Sequence, residues 1–168
     1  KNFSITNSKS EFNDFLGYKF SYASTPISEE LFFQSNGLLE QSGLDNYEVK
    51  IFEWENVKCF FKVGSKSAIP FDIFSAIFFL LSRYEEYMPH TGNKIGQFNY
   101  TESIAYKEGF LEAPLVDIWI EKFKSVIENK IKLKCKVVSN NQVKLIIISC
   151  TNPYKYINKY PFESFMIW

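Results

Sequence analysis

The chain has 168 residues, the size of one domain or of one domain with a fragment attached, and 46% of it is apolar, enough to fill a core. Phe accounts for 18 residues and Tyr for 10, so an ordered interior built from rings more than from Leu and Val is expected. Lys plus Arg number 19 and Asp plus Glu number 19, so no global field draws the chain to nucleic acid or anionic lipid.

Taken in order, Ser8 with Glu11 reads as a helix start, followed by Phe12, Phe15 and Leu16 on one side and Gly17 as a stop, which makes a short amphipathic helix. "YKFSYAS" (18–24) alternates as a strand, "ELFFQS" (30–35) is a weaker strand, and Gly37 to Gly43 holds a brief helical or irregular piece. "YEVKIFEW" and "VKCFFKVG" form a strand pair, with Tyr47, Val49 and Ile51 on one face and Glu48 and Lys50 on the other. Glu55 and Asn56 make a tight hairpin between them. "PFDIFSAIFFLLSRYEEYMPH" (70–90) carries a greasy helix from Phe71 to Leu81. It is too short to span a membrane, which takes about twenty apolar residues, and so greasy all round that burial between a sheet and other helices is expected. A turn-rich loop with Pro89, Gly92 and Gly96 follows. Pro114 to Lys130 then has Leu115, Ile118, Trp119, Phe123, Val126 and Ile127 at helical spacing. "KLKCKVV" and "QVKLIIIS" close the domain as two strands, with Lys130, Lys132, Lys134 and Lys136 on a solvated face.

These elements predict an α/β or α+β domain over residues 1–148, with a mixed sheet of about six strands, a buried central helix and a second long helix packed on it. Cys59, Cys135 and Cys150 are odd in number and set among apolar neighbours. They read as reduced core residues of a cytosolic protein. No Cys pair has zinc-ligand spacing, His90 is the only histidine, and the first residues lack the apolar run of a signal peptide, so no metal or cofactor and a cytoplasmic location are expected.

The chemistry-bearing residues gather at the greasy helix. At about 100° per residue, Asp72, Ser75, Ser82, Arg83 and Glu86 fall within roughly a third of its circumference, with Glu85 pointing away. One reading is structural: Asp72 complements the positive helix end, and Arg83 pairs with Glu86 where the helix surfaces. The other is a cleft, with Glu85 or Glu86 as acid or base and Arg83 holding an anion or sugar hydroxyls. No nucleophile with an adjacent base is visible, so no catalytic residue and no reaction class follow. His90 reads as a loop residue, Asp117 and Trp119 as helix-end complement and core, and Gly92 and Gly96 form no phosphate-binding fingerprint.

"FDIFSAIFFLLSRYEEYMP" and "GQFNYTESIAYKEGFLEAPLVDIW", with "FSYAS" and "NGLLEQSGL" upstream, resemble the uncharacterised N-terminal domain of bacterial, largely Bacteroidetes, polysaccharide deacetylase-like proteins over about residues 18 to 130. The resemblance implies that a NodB-type catalytic domain follows, whose first strand ends in metal-binding and basic aspartates. Here "IIISCTNPYKYINKY" occupies that place, with Asn152, Tyr154 and Tyr156 echoing the family, but Cys150 and Thr151 stand where acids are expected. A thiol and a hydroxyl do not replace a carboxylate base and ligand. Gln97 stands where the family has Arg. The resemblance therefore implies a non-catalytic accessory domain, followed by a tail (149–168) that resembles the truncated start of the deacetylase domain. Its partners would be a C-terminal catalytic domain or a glycan, with a homodimer through the aromatic tail as a further partner. The rivals are a sugar or nucleotide-sugar enzyme using the Arg83, Glu85 and Glu86 cluster, and a pure interaction module.

Overall fold

Helix α1 (Lys9–Asp14) begins where expected, at Ser8, whose hydroxyl accepts from the Glu11 N–H at 3.4 Å. Thr6 completes the cap: its hydroxyl donates to the Glu11 carboxylate at 2.5 Å and accepts from the Ser8 N–H at 3.1 Å. At the other end Lys19 Nζ donates to the carbonyls of Phe12 and Asn13, at 2.8 and 3.2 Å. Polar caps thus hold a helix that buries none of its residues. Of the expected apolar face only Phe12 is covered, by Lys19 over its ring, whereas Phe15 and Leu16 lie beyond the last turn and stand in solvent. The computed structural model behind this description covers residues 4–89, 96–132 and residue 146, and its named elements lie in a compact unit spanning Lys1–Cys135.

Strands β1 (Phe20–Ala23) and β2 (Leu31–Gln34) pair in parallel, with Phe20 opposite Leu31. Parallel neighbours are normally joined by a crossover of a dozen or more residues. Here a short link suffices because Glu30 gathers it: its carboxylate accepts from Ser21 Oγ (2.6 Å), the Ile27 N–H (2.9 Å), the Ser28 N–H (2.6 Å) and Ser28 Oγ (3.0 Å). Partial burial works against the charge, but these four donors outweigh it and bring the Glu30 carboxyl down to about 2. The far edge of β2 is covered by Ala68, whose N–H donates to the Phe32 carbonyl at 2.8 Å, and by Ser67, whose hydroxyl accepts from the Gln34 N–H at 3.1 Å.

Strands β3 (Phe52–Trp54) and β4 (Val57–Cys59) form the expected antiparallel hairpin. Glu55 and Asn56 both take positive φ, 49° and 62°, as a two-residue hairpin turn requires. The ladder is shorter than the alternation from Tyr47 to Gly64 implies. Phe60 and Phe61 are both buried, which a strand of period two does not allow, and the break is a φ of 59° at Phe61. The chain then turns to meet the approach to the next helix: the Asp72 N–H donates to the Phe61 carbonyl at 2.9 Å and the Val63 N–H to the Pro70 carbonyl at 3.0 Å.

Helix α2 (Ile73–Leu81) and the long helix α4 (Leu115–Ile131) enclose a core of rings, with the single turn α3 (Ile104–Lys107) between them in sequence. Trp119 is fully buried against Phe60 and Phe71, with ring centroids 5.5 and 5.3 Å away, and Phe60 meets Phe79 at 5.7 Å. The Trp119 indole N–H donates to the Lys58 carbonyl at 3.0 Å, so its one polar atom is paired. Phe123 carries α4 onto Phe33 of β2 and Phe74 of α2, at 5.0 and 5.5 Å. α2 is not buried all round: Ile73, Ser75, Ala76 and Phe79 face inward, whereas Phe78 and Leu81 face solvent.

The architecture is mixed α/β. The four described strands form two separate pairs, not one sheet of about six, and of the predicted strand 142–149 all but Ile146 lies outside the described residues. The strand-like reading from Lys130 fails at its start, because Lys130 and Ile131 complete α4 and Lys132, at φ 51°, ends it; Lys134 and Lys136 lie outside the described residues. Among the described residues no helix is long and apolar enough to cross a membrane.

Candidate functional site

The charged residues of the greasy segment, Asp72, Arg83, Glu85 and Glu86, separate into two places at opposite ends of α2. At the start, Asp72 is the N-cap and almost wholly buried. Its Oδ1 accepts from the Ser75 N–H at 3.0 Å. Its Oδ2 accepts from Ser75 Oγ at 2.6 Å, the Asn36 N–H at 2.8 Å and the Tyr22 hydroxyl at 2.9 Å. With four protein donors already on it and almost no exposure, this carboxylate is closed to a ligand. Burial, offset in part by neighbouring hydroxyls and reinforced by the Asp72 charge, pushes the Tyr22 hydroxyl up to about 12. The knot ties β1, the chain after β2 and α2 together from the inside.

The other end is set by Arg83. Its φ of 55° takes the chain out of the helix, so the single polar stripe does not exist. Left-handed backbone costs a residue with a Cβ about 1 kcal/mol, and the residues that follow use the redirection. Tyr84 turns inward and stacks on Phe79 at 5.4 Å, while its hydroxyl accepts from the Asp45 N–H at 2.9 Å. Glu85 turns toward α3 and accepts from the Ile104 N–H at 2.9 Å. Glu86 forms an ion pair with Arg83, whose side chain is largely exposed. In "SRYEEY", Tyr84 and Glu85 therefore hold the fold, Glu86 is partly buried beneath Arg83, and Arg83 and Tyr87 face outward. Half-burial pushes the Glu85 carboxyl above its ordinary value; the Ile104 N–H opposes that shift, the Glu86 charge adds to it and Lys107 opposes it.

Glu85 anchors a corner that the sequence reading missed. Asn99 Oδ1 accepts from the Thr101 N–H at 3.2 Å, and Ser103 Oγ accepts from the Tyr106 N–H at 3.2 Å and donates to the Tyr100 carbonyl at 2.6 Å. These caps fix a segment that shows two tyrosines to solvent, Tyr100 and Tyr106, with ring centroids 5.4 Å apart, beside a Lys107–Glu102 ion pair of 3.1 Å. The Asn99 and Ser103 caps were the available signal.

Of the other candidates, Trp119 is core and Asp117 sits exposed in the first turn of α4. Cys59 is buried, and burial pushes its thiol up to about 11, which makes it unreactive at neutral pH. Gln97 is exposed. His90, Gly92, Cys135, Cys150, Thr151, Asn152, Tyr154 and Tyr156 lie outside the described residues. Among the described residues no three His, Cys, Asp or Glu side chains come together as a metal site.

Residues 1–132 match a family of unknown function, DUF7033. The chain belongs to that family. The match covers the Asp72 knot, the Arg83–Tyr87 corner and α4. No curated protein and no solved structure matches the chain.

Proposed function

We propose that this DUF7033 chain is a non-catalytic accessory domain of a polysaccharide deacetylase-like protein in cell-envelope carbohydrate metabolism, where it positions a partner domain or glycan. The sequence support is the resemblance carried by "SRYEEY" and the segments flanking it, together with Cys150 and Thr151 in the places of acids. The structural support is one observation: Asp72, Glu85 and Glu86 are each already bound to a group of the protein itself, and Asp72 lies the length of α2, ~14 Å, from the other two. An acid and a base that act on one bond must both reach it; Asp72 is out of reach of the other two, Glu85 is held by the Ile104 N–H and Glu86 by Arg83.

The outward side of the Arg83 corner is the surface for contact. Tyr and Arg are enriched where proteins bind partners, because both combine a flat apolar body with hydrogen-bonding tips. The test is acetate release from N-acetylated oligosaccharides by the chain, with and without divalent metal, where none is expected. Metal-dependent release overturns the reading. The rival sugar-enzyme reading separates through Arg83→Met and Glu86→Gln: the accessory role predicts nearly unchanged melting and no turnover in any form, whereas an enzyme shows turnover in the parent chain that these changes abolish without unfolding it.

A further inference from the structure

Between the end of α2 and the start of α4 runs a shallow groove of about 220 Å³. Leu80 comes from α2, Ala105 from α3, Phe110 and Leu111 from the link, and Leu115 and Val116 from the first turn of α4. Phe110 and Leu115 are buried and make the floor, while Leu111 is half exposed and makes a wall. A cavity of about 150 Å³ holds a benzene ring, so this groove has room for one large apolar side chain.

The rim is acidic. Asp117 lines the groove, Glu112 lies between the lining residues Leu111 and Ala113, both are exposed, and among the described residues neither has an ion-pair partner. Lys107 is paired with Glu102, and Lys58 is held by the Glu108 carbonyl. The positive end of α4 amounts to roughly half a charge, too little to cancel two carboxylates.

We infer that this groove docks a partner protein domain through a large apolar side chain flanked by Lys or Arg. An apolar floor that lacks polar side chains does not suit sugar hydroxyls, and the acidic rim repels anions. This rests on the accessory reading only in that it supplies the partner-domain contact that reading calls for.

The test uses the 168-residue chain and an amphipathic peptide with Leu and Phe on one side and Lys on both flanks, compared with a twin in which Glu replaces Lys. Titration followed by amide NMR shifts is expected to move Leu80, Ala105 and Leu111 with the Lys peptide. Binding should weaken as salt rises, and the Glu twin should bind about tenfold more weakly or worse. Glu112→Lys with Asp117→Lys should reverse the preference. Equal binding of the twins, shifts confined to another face, no binding of either at millimolar peptide, or displacement of the Lys peptide by a neutral oligosaccharide each overturns the inference. Acetate release with intact peptide binding would remove the accessory reading alone, and absent binding without acetate release would remove the groove alone.

Discussion

The two ends of α2 use the same residue types in opposite ways. At the start, one carboxylate with four protein donors sits in the interior, and nothing outside can reach it. At the finish, Arg83 is largely exposed at a backbone break, Glu85 and Glu86 are partly buried with one protein partner apiece, and Tyr87, Tyr100 and Tyr106 are exposed. A carboxylate in a greasy segment is therefore not by itself a mark of chemistry; the number of its own N–H and O–H partners decides. By that measure the first end is a structural knot and the second is a surface free to meet something else.

Asp72→Ala is the strongest way to break this comparison. It removes the cap of α2 and leaves the Asn36 and Ser75 N–H groups and two hydroxyls without their acceptor, for a loss of about 3 to 5 kcal/mol. Urea unfolding measures it. A loss below about 1 kcal/mol would mean that the knot is not what holds β1, the chain after β2 and α2 together.

Tyr22→Phe removes one donor and leaves Asp72 the other three, so about 1 kcal/mol is expected. Its sharper signature is alkaline. Because the folded Tyr22 hydroxyl holds its proton up to about 12 while the unfolded one releases it near 10, the contribution is complete below pH 10 and is lost as pH rises toward 12. The parent chain should lose more stability over that interval than Tyr22→Phe does. Equal slopes would place Tyr22 in water.

What the sequence disclosed and what it hid divide along the same line. The Ser8 cap, the Glu55–Asn56 turn and the start of α4 after Pro114 were readable because each is decided by residues within a turn of one another. The break at Arg83 was not, because a residue with a Cβ adopts positive φ only when its surroundings reward it, and here the reward is Tyr84 stacking on Phe79 and reaching Asp45. Helical arithmetic carried past Leu81 consequently drew a stripe that the backbone does not make. The parallel β1–β2 pairing was hidden for a similar reason: it depends on the bonds that Glu30 makes inside the link, not on any alternation in the strands. Asp72 was legible as the complement to a helix end, but its bond to Tyr22 in β1 was not, since no local pattern connects positions so far apart in the chain.

Glu85→Gln has the smallest effect and tests the second end. The glutamine carbonyl still accepts from the Ile104 N–H, so the tie to α3 stays, while the half-buried charge beside Glu86 goes. The sign follows from the raised carboxyl: the folded chain binds the proton more tightly than the unfolded one, so this contribution to stability is whole below the ordinary carboxylate range and is lost as pH rises through the raised folded value. Removing the carboxyl therefore leaves neutral-pH stability equal or higher and flattens the decline on the alkaline side of that range, which unfolding midpoints taken across mildly acidic pH measure. A clear loss at neutral pH would show that the charge itself, and not merely an acceptor, holds α3. Glu85 would then resemble Asp72 in holding its neighbour by charge as well as by geometry.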